Sequence, residues 1–476
     1  MFVRRHARSC PESKCADIGG SRYLARVRIL LWHGYLLTGS GSNVYTANIA
    51  REWRAAGHDV VVMCQDRHAG ELPFVDEDCD LAHGGSLLTS RPGTCRVVRP
   101  FIDGLLPVYV YDAYEGFDVK LFVDLTDEEL DRYVSLNVDA MVDVISRFRP
   151  DAIITGHEVM GPEIARRACE ETGTSYVAKL HGSALEYAVK RQERYRHYAR
   201  TGLGGASHVV GGSAYMVRAA LSVVPGWEDR ASVVNPGCDT GLFAPAPALR
   251  SDPPTIMFVG KLIRSKGVHD LLGALGLTRC GPARVVIVGY GGFERDLRAL
   301  ANALQRGDAP KIRALAQGAE DGPLEGILDL ADAGVMDEEY FSRADDLEIS
   351  FTGRLEHGPL SKVLPTADVL VVPSVVPEAF GMVAAEAAAC GVLPIVPDHS
   401  GIAAAGAAVE SAIGEPGLLT YDAADPIRSL AAAIDRVLAI PRPERDRMGA
   451  VAADLARERW SWAHVAARLL SLAARD

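Results

Sequence analysis

The stretch between residues 369 and 401 constrains the fold of this 476-residue chain more than any other. Its apolar run at 369–372 predicts a buried strand of a parallel sheet. A proline-containing loop that holds Glu378 follows, and Gly381 then opens an alanine-rich segment with high helix propensity, which Gly391 ends before a second apolar run. This strand–loop–helix–strand order is typical of open α/β sheets, which bind ligands at the carboxyl ends of their strands.

Two carboxylates in this stretch suit a polyol ligand. Glu378 lies at the predicted sheet edge, and Glu386 follows inside the predicted helix. A carboxylate accepts hydrogen bonds from vicinal hydroxyls, while the free N–H groups of Phe380, Gly381 and Met382 near the helix start donate to a ligand. The stretch alone is equally compatible with an ordinary strand–loop–helix that carries two solvated glutamates.

The loop and helix resemble the signature of the retaining glycosyltransferases of family 4. In that family a Glu, seven further residues and a second Glu follow a strand that ends in Pro-Ser, with Phe-Gly after the first Glu. The matching residues here are Pro373, Ser374, Glu378, Phe380, Gly381 and Glu386. The similarity extends from about residue 27 to the end of the chain, with further segments described below.

The resemblance implies an α/β protein with the GT-B fold, in which two Rossmann-like, doubly wound parallel-sheet domains face a central cleft. We expect the acceptor-binding domain at 27–243, joined by a final helix at 460–476 that crosses back onto it. A linker rich in proline follows at 244–254, and the nucleotide-sugar-binding domain is expected at 255–459. Residues 1–26 are basic and lack apolar periodicity, so we expect a disordered extension there.

Composition narrows the choice of partners. A net charge of −12 argues against a nucleic acid or an anionic membrane as the main partner. No apolar run approaches 20 residues and the start lacks the apolar core of a signal peptide, so we expect no stable membrane insertion. The nine cysteines form no Cys-x-x-Cys pair, which favours a reducing, cytoplasmic location over a disulfide framework or a zinc site.

The first domain opens with a strand–glycine turn–helix–strand order over residues 27–63. Gly39 and Gly41 permit close approach of the backbone to a phosphate. The turn is not a P-loop, and Val44 stands where a dinucleotide fingerprint would place its third glycine. From the sequence a purely structural turn stays open, whereas the resemblance implies that Gly39, Ser40 and Gly41 reach over the donor diphosphate.

A histidine follows a later strand of the same domain. His181 comes directly after the predicted strand at 176–180, in a His-Gly pair that the family also carries, and the resemblance places it near the reacting sugar carbon. His157 occupies a similar edge position, for which a structural role is favoured. The following segment, 184–200, is predicted to be a solvated helix, although it is also compatible with the wall of an acceptor cleft.

Two lysines follow the first strand of the second domain. Lys261 and Lys266 lie across a turn before a helix, and the resemblance implies that both contact the donor diphosphate. Two cations there neutralise the charge that grows on the leaving β-phosphate.

Arg354 follows the predicted strand at 349–352, where the family reads the nucleotide base. The acidic segment 305–346 departs from the family's short connection; a solvated helical excursion is the default, and an oligomer contact and a lid stay open.

The region 66–125 is predicted to be irregular, and its aromatic residues fit either an acceptor pocket or the packing of a long hairpin. It contains two overlapping Asp-x-Asp matches, Asp76-Glu77-Asp78 and Asp78-Cys79-Asp80, which we expect to form a solvated loop rather than a metal site. The fold that the resemblance implies works with lysines and helix N-termini, so we expect neither a metal nor a cofactor.

The combined prediction is a metal-independent, retaining hexosyltransferase. It would move a hexose-type sugar from a UDP-, GDP- or ADP-linked donor to a hydroxyl, or another nucleophile, of a small soluble acceptor such as a natural-product or polyol precursor. The predicted catalytic residues are His181, Glu378, Lys261 and Lys266. The predicted donor-binding residues are Gly39, Ser40, Gly41, Arg354, Phe380, Gly381, Met382 and Glu386.

Three alternatives remain open at this stage. One is a glycosyltransferase that acts on a cell-envelope lipid or polysaccharide. A second is an NAD(P)-dependent Rossmann dehydrogenase, against which the imperfect glycine fingerprint speaks. The third is a non-catalytic sugar-nucleotide binder, against which the intact Lys261, Lys266, Glu378 and Glu386 speak.

Overall fold

The computed structural model describes residues 26–81, 92–111 and 114–474. The predicted N-terminal extension, apart from Arg26, lies outside these residues. The strands are β1 Arg28–Trp32, β2 Asp59–Met63, β3 Glu77–Asp80, β4 Cys95–Arg99, β5 Leu105–Val108, β6 Asp118–Leu121, β7 Ala152–Gly156, β8 Val177–Lys179, β9 His208–Gly211, β10 Ala231–Val233, β11 Thr255–Val259, β12 Ala283–Val288, β13 Leu347–Gly353, β14 Val369–Val371, β15 Leu393–Pro397 and β16 Thr420–Tyr421.

The helices complete a chain in which strands and helices alternate along most of its length. They are α1 Gly41–Ala55, α2 Asp127–Phe148, α3 Gly161–Thr172, α4 Glu193–Gly205, α5 Ala214–Val223, α6 Val268–Leu275, α7 Glu294–Gln305, α8 Ala309–Gln317, α9 Glu325–Asp332, α10 Glu338–Asp345, α11 His357–Val363, α12 Met382–Ala389, α13 Ile402–Ile413, α14 Pro426–Leu438, α15 Arg442–Leu455 and α16 Trp462–Ala473.

The first domain is built on an eight-stranded parallel sheet in the order β10-β9-β8-β7-β1-β2-β4-β3. Its central strands are buried on both faces, as a parallel sheet covered by helices requires. α1 and α16 cover one face, and α2 to α5 cover the other. The strand order reverses between β7 and β1, and this reversal creates a crevice at the carboxyl ends of these two strands.

The second domain repeats this plan with six strands. Their order is β13-β12-β11-β14-β15-β16, again all parallel, and it reverses between β11 and β14. β11 leads to Lys261, and β14 leads to Glu378. The predicted α/β class with two doubly wound parallel-sheet domains is therefore observed, and the reversal point of the second sheet presents the segments singled out from the sequence.

Most predicted elements are present within one to three residues of their expected ends. Thr126 and Glu129 predict a capping box from the sequence, and it is present: Thr126 accepts a hydrogen bond from the backbone of Glu129, and the Glu129 side chain accepts one from the backbone of Thr126. The sequence also predicts a helix at 161–172, where α3 lies, and Gly173 ends this helix in the left-handed conformation.

The prediction that residues 66–125 are irregular is wrong. The segment contains β3 and β4 of the first sheet, and β5 and β6, which form a separate two-stranded parallel sheet. The Asp-x-Asp matches therefore do not lie in a solvated loop, since Glu77 to Asp80 form the edge strand β3. Asp78 pairs with Arg99 of β4, and Glu77 pairs with Arg96, so cross-strand ion pairs replace the apolar alternation that predicts a strand.

The segment 184–200 is also not one helix. A short π-helical turn at Leu185–Val189 is followed by a break, and α4 begins only at Glu193. The break is stabilised by side chains that donate hydrogen bonds to main-chain carbonyls. Arg196 donates to the carbonyls of Val189 and Lys190, and Gln192 donates to that of Val123. The helix predicted at 444–458 likewise ends early, because a π-helical turn at Ala456–Trp460 follows α15.

The chain passes between the two domains twice, and the two passages lie side by side. The backbone N–H of Cys238, before the first passage, donates to the carbonyl of Trp460 at 2.7 Å, and Cys238 forms an isolated parallel bridge with Ser461. α16 then packs on α1 of the first domain, where the Trp53 indole donates to the Ala466 carbonyl at 2.9 Å. The last residues of the chain thus complete the core of its first domain.

The acidic segment 305–346 is a packed helical insertion. It contains α8, α9 and α10, and the buried residues Ile327, Leu330 and Tyr340 belong to the core of the second domain. The Tyr340 hydroxyl donates to the carbonyl of Gly273 in α6 at 2.9 Å.

Among the described residues, none of the helices combines the length and the apolar character that a membrane span requires.

Candidate active site

A cavity of about 560 Å³ lies between the carboxyl edges of the two sheets. The second domain contributes Lys261 after β11 and the segment from Glu378 to Met382 after β14. The first domain contributes the start of α1, the residues that follow β7 and β8, and a wall of tyrosines. The reversal points of both sheets therefore face one shared space.

Most of the predicted site residues line this cavity. They are Ser40, Gly41, His181, Lys261, Glu378, Phe380, Gly381 and Met382. Four predicted residues do not line it. Gly39 lies in the turn before α1, Lys266 lies beside Glu378, Glu386 is half-buried in α12, and Arg354 lies at an exposed site after β13.

Glu378 is held by two side chains. The Lys266 ammonium donates to Oε1 of Glu378 at 2.7 Å, and the Ser374 hydroxyl hydrogen-bonds to the same oxygen. The backbone N–H of Glu378 donates to the Ser400 hydroxyl at 3.0 Å. The sequence spacing places these residues on different strand ends, and the fold brings a cation and an anion into direct contact. A ligand that binds both the Lys266 ammonium and the Glu378 carboxylate must replace this ion pair with its own contacts to each.

The turn before α12 presents backbone donors to the cavity. Gly381 adopts φ +84°, and a Cβ there would lie 2.9 Å from the side chain of Ile402, so a larger residue would be both strained and crowded. Phe380 is buried against Trp460, with ring centroids 5.6 Å apart. The turn is thereby fixed, and α12 starts at the cavity wall with its free N–H groups.

The start of α1 approaches the start of α12 across the cavity. A Cβ on Gly41 would lie 3.7 Å from Cε of Met382. The Ser40 hydroxyl caps α1 by accepting from the backbone N–H of Asn43 at 3.4 Å. Two helix N-termini, one from each domain, therefore converge on the same space, which is favourable for an anionic ligand.

Glu386 lies deeper in α12. Burial raises the pKa of its carboxyl to about 8, and Nε2 of the His357 imidazole lies 3.8 Å from its Oε1. The carboxyl is therefore largely protonated at neutral pH in this state, and it is able to donate as well as accept a hydrogen bond.

Three histidines meet on the first-domain side. His33 follows β1, His157 follows β7 and His181 follows β8; the His157 and His181 ring centroids are 4.8 Å apart, and those of His33 and His157 are 5.7 Å apart. Burial lowers the pKa of all three, to about 4 for His33 and well below the ordinary value for the other two. The imidazoles are therefore neutral at neutral pH. His157 also adopts φ +71°, an uncommon conformation for this residue type.

Sequence reasoning missed two of the residues at this site. His33 is one, and the signal that would have found it is its position directly after β1, at the reversal point of the sheet. Lys179 is the other: it lines the cavity and is almost completely buried. Its signal is a lysine within an otherwise apolar strand, Val177–Lys179, where a buried parallel sheet normally has none.

Arg354 contacts an aromatic side chain at the rim of the second domain. Its guanidinium lies 5.2 Å from the ring centroid of Tyr290, and its Nε lies 2.7 Å from Glu356. Tyr290 belongs to the glycine-rich turn that follows β12 and is exposed. The pair forms a cationic and aromatic surface at this rim, and the base contact expected of Arg354 stays a prediction.

The insertion reaches the turn that carries the two lysines. Arg264 lies between Lys261 and Lys266, and its guanidinium donates to the carbonyls of Gly322 and Pro323 at the start of the α9 segment. The same region packs against α6, since a Cβ on Gly273 would lie 2.6 Å from Ile327. The insertion therefore contacts the lysine turn directly and supports the helix that follows it.

The sequence matches two models of glycosyltransferase domains. Residues 40–237 match a glycosyl transferase 4-like domain, and residues 326–454 match the glycosyl transferases group 1. Together the matches cover most of the chain, one in each domain. The comparison with curated proteins by sequence found no match.

Solved structures of glycosyltransferases share the whole architecture. Sucrose-phosphate synthase from Thermosynechococcus elongatus is 20% identical, with a TM-score of 0.59 over 94% of this chain and 98% of its own. HepE from Anabaena, in complex with UDP, is 16% identical, with a TM-score of 0.60 over 93% and 98%. The lipopolysaccharide outer core galactosyltransferase WaaB is 14% identical, with a TM-score of 0.56 over 94% and 98%.

Both domain models match, and the likeness to these enzymes extends over nearly the full length of both partners. The protein therefore belongs to the family 4-like glycosyltransferases and has their GT-B fold.

Proposed function

We propose that the protein moves a hexose-type sugar, with retention of configuration, from a nucleoside diphosphate sugar to a hydroxyl or other nucleophile of a small soluble acceptor. The observation that carries this proposal is the convergence of Lys261, the Lys266–Glu378 pair and the start of α12 on one wall of the interdomain cavity. In the proposed arrangement the donor binds the second domain and the acceptor binds the first.

The lysines would bind the diphosphate of the donor. Lys261 lines the cavity, and Lys266 forms an ion pair with Glu378, which also lines it. Each charge-assisted contact to a phosphate oxygen contributes roughly 1.5–3 kcal/mol. Contacts that strengthen as charge grows on the leaving β-phosphate lower the barrier rather than merely tighten binding. The helix starts at Gly41 and Met382, with Gly39 and Ser40 beside them, would add backbone donors.

The carboxylates and His181 would bind the sugar parts. Once phosphate oxygens bind the Lys266 ammonium, Glu378 is free to accept hydrogen bonds from the sugar hydroxyls. The N–H groups of Phe380 to Met382 would donate hydrogen bonds to the same hydroxyls. Glu386, protonated in the free protein, would hydrogen-bond the ribose hydroxyls. His181 would lie against the sugar near C1 or C6, where its neutral imidazole accepts from a hydroxyl.

Retention fits substitution on one face of the sugar. Glu378 is the only carboxylate among the described residues that line the cavity, and in the proposed complex the sugar hydroxyls occupy it, so it is poorly suited to form a covalent glycosyl intermediate. In the proposed step the bond from C1 to the phosphate oxygen breaks while the acceptor oxygen bonds to C1 on the same face. The proton of the acceptor passes to the leaving phosphate oxygen. No metal or cofactor takes part, so activity should persist in EDTA.

The first test is a thermal-shift panel of UDP, GDP and ADP with their sugar adducts. A nucleotide at 100 times its Kd stabilises the folded protein by about 2.7 kcal/mol, which is readily measured. We expect one base to give this shift, and the matching sugar adduct then serves in an acceptor screen with the product anomer assigned by NMR. A shift with NAD(P) alone, or an inverted anomer, would contradict the proposal.

A second candidate has an envelope lipid or polysaccharide as its acceptor. The observation that favours it is the apolar surface at the cavity mouth, where Val110 and Tyr111 are 57% and 66% exposed. Transfer to an acceptor presented on lipid vesicles, without transfer to any soluble acceptor, would support this candidate over the first.

The contact between Arg264 and the insertion gives a further prediction. Arg264→Ala removes the two hydrogen bonds to Gly322 and Pro323 and frees the turn that carries both lysines. We expect the Kd of the nucleotide to rise about tenfold, since each hydrogen bond to a charged group contributes roughly 1.5–3 kcal/mol and only part of that is transmitted to the lysines. The measurement is titration calorimetry, with Arg313→Ala as the control, because Arg313 pairs with Asp332 within the insertion itself. Equal affinities in both variants would contradict the prediction.

A further inference from the structure

Lys179 lines the cavity, and the proposed function gives it no role. It ends β8, two residues before His181, and its side chain is 2% exposed. Its ammonium donates to the carbonyl of Val234 at 3.0 Å and lies 5.2 Å from the ring centroid of Tyr45. Tyr45 belongs to α1, near the helix start that approaches α12. The lysine therefore lies at the floor of the cavity, between the end of the first sheet and α1.

No carboxylate compensates this lysine within the described part of the chain, where none lies within 4 Å of its Nζ. The acidic group that acts on it is Glu158, which is itself buried and accepts from the backbone N–H of Gly182 at 2.8 Å. Burial lowers the pKa of Lys179 to about 7, and the charge of Glu158 opposes this shift. A lysine buried without a counter-charge destabilises the folded protein, unless a ligand supplies that charge.

Two neighbouring residues at the floor of the cavity have polar atoms without a hydrogen-bond partner in the described part of the chain. The Tyr45 hydroxyl and both ring nitrogens of His157 are buried, and they have no hydrogen-bond partner among the described residues. His157 is 1% exposed, and both residues line the cavity together with Lys179 and His181. Buried polar groups are nearly always satisfied in native proteins, by protein, water or ligand, and the phosphate or hydroxyl oxygens of a bound substrate would supply partners to this set.

We propose that Lys179 is a third cation of the active site and binds a phosphate or carboxylate oxygen of the substrates. This inference rests on the proposed function and adds a subsite on the first domain, opposite Lys261 and Lys266. Two groups share this chemistry. One is the diphosphate of the donor, which the N-termini of α1 and α12 would also bind, and the other is an anionic group on the acceptor. Tyr45 would donate to the same group.

The test compares Lys179→Met, which keeps the shape of the side chain without its charge, with Lys179→Arg, which keeps the charge. Lys190→Met is the matched control, because Lys190 is an exposed lysine that pairs with Glu186 outside the cavity. Calorimetry measures the Kd of the nucleoside diphosphate that stabilises the wild type, and then the Kd of fructose 6-phosphate with that nucleotide bound. Lys179→Met is expected to weaken one of the two ligands by 10- to 100-fold, and Lys179→Arg by less.

The affected ligand identifies the source. Loss of nucleotide affinity assigns the subsite to the donor, and loss of sugar-phosphate affinity alone assigns it to the acceptor. Unchanged affinity of Lys179→Met for both ligands overturns the inference and leaves the proposed function standing. A wild-type protein that binds no nucleoside diphosphate overturns the proposed function, and the inference falls with it.

Stability separates a binding role from a purely structural one. Because Lys179 is desolvated, we expect Lys179→Met to unfold at the same temperature as the wild type or a higher one, whereas a structural role for the bond to Val234 predicts a lower temperature.

The pH dependence of the folding stability gives a second readout. The unfolded chain holds the lysine proton up to its ordinary pKa of 10.5 while the folded chain loses it near 7, so wild-type stability relative to Lys179→Met rises between pH 7 and 10.

Discussion

Glu378→Gln is expected to lower sugar transfer by about 100- to 1000-fold or more, which is the scale of loss when one preorganised electrostatic contact to the transition state is removed. The amide keeps the shape of the side chain but removes the charge that Lys266 and the sugar hydroxyls share. Lys266→Ala is expected to abolish transfer for the related reason that its partner at 2.7 Å is left without a cation. The measurement is the initial rate with the identified donor and acceptor.

The matched control for these variants is Glu415→Gln. Glu415 is an exposed glutamate of the same domain, in the turn after α13 and away from the cavity, so its turnover should equal that of the wild type. The unfolding temperatures of Glu378→Gln and Lys266→Ala should remain close to that of the wild type, because both side chains are partly exposed and neither contributes to the apolar core. Near-normal turnover by both variants would contradict the assignment of the site.

Gly267→Ala is expected to damage both the site and the fold of the second domain. Gly267 follows Lys266 with φ +69°, and a Cβ there would lie 1.7 Å from the carbonyl oxygen of Pro373, at the end of β14. The backbone must shift to relieve that overlap, and the shift moves Lys266 away from Glu378. We expect a loss of about 2 kcal/mol or more in the free energy of unfolding, and loss of the nucleotide-induced thermal shift.

Gly292→Ala serves as the control for the glycine variant. Gly292 lies in the turn after β12 of the same domain, and no atom lies within 4 Å of the position that its Cβ would take. This variant should be as stable as the wild type in urea denaturation and should bind the nucleotide equally well. A stable, nucleotide-binding Gly267→Ala protein would show that the lysine turn tolerates displacement.

The sequence predicted the elements of the fold well where apolar periodicity is strong. β1, β11 and α3 are examples, since a buried parallel strand or an amphipathic helix leaves a clear pattern over five to twelve residues. β3 was missed because it is an edge strand whose charges are satisfied by arginines of β4. The break after the π-helical turn at Leu185–Val189 was missed because it depends on Arg196 and Gln192, whose side chains donate hydrogen bonds to main-chain carbonyls.

The site was partly predictable for the same kind of reason. Glu378 and the turn before α12 come from one continuous segment, so a local pattern identifies them. The ion pair between Glu378 and Lys266 joins residues 112 positions apart, and it exists only because β11 and β14 are neighbours in the sheet. The histidine cluster and Lys179 likewise depend on which strands lie side by side, and this order is a property of the assembled sheet.

The position of α16 has a consequence for how the protein is made. Residues 461–474 pack on α1 and cover Ile49 and Trp53, yet they are the last described residues to leave the ribosome. The domain that is synthesised first therefore keeps an open apolar face until α16 has been translated, and it completes its core only after the second domain has been made. A truncation that removes α16 would therefore damage the first domain, although the sequence of α16 comes after the whole of the second domain.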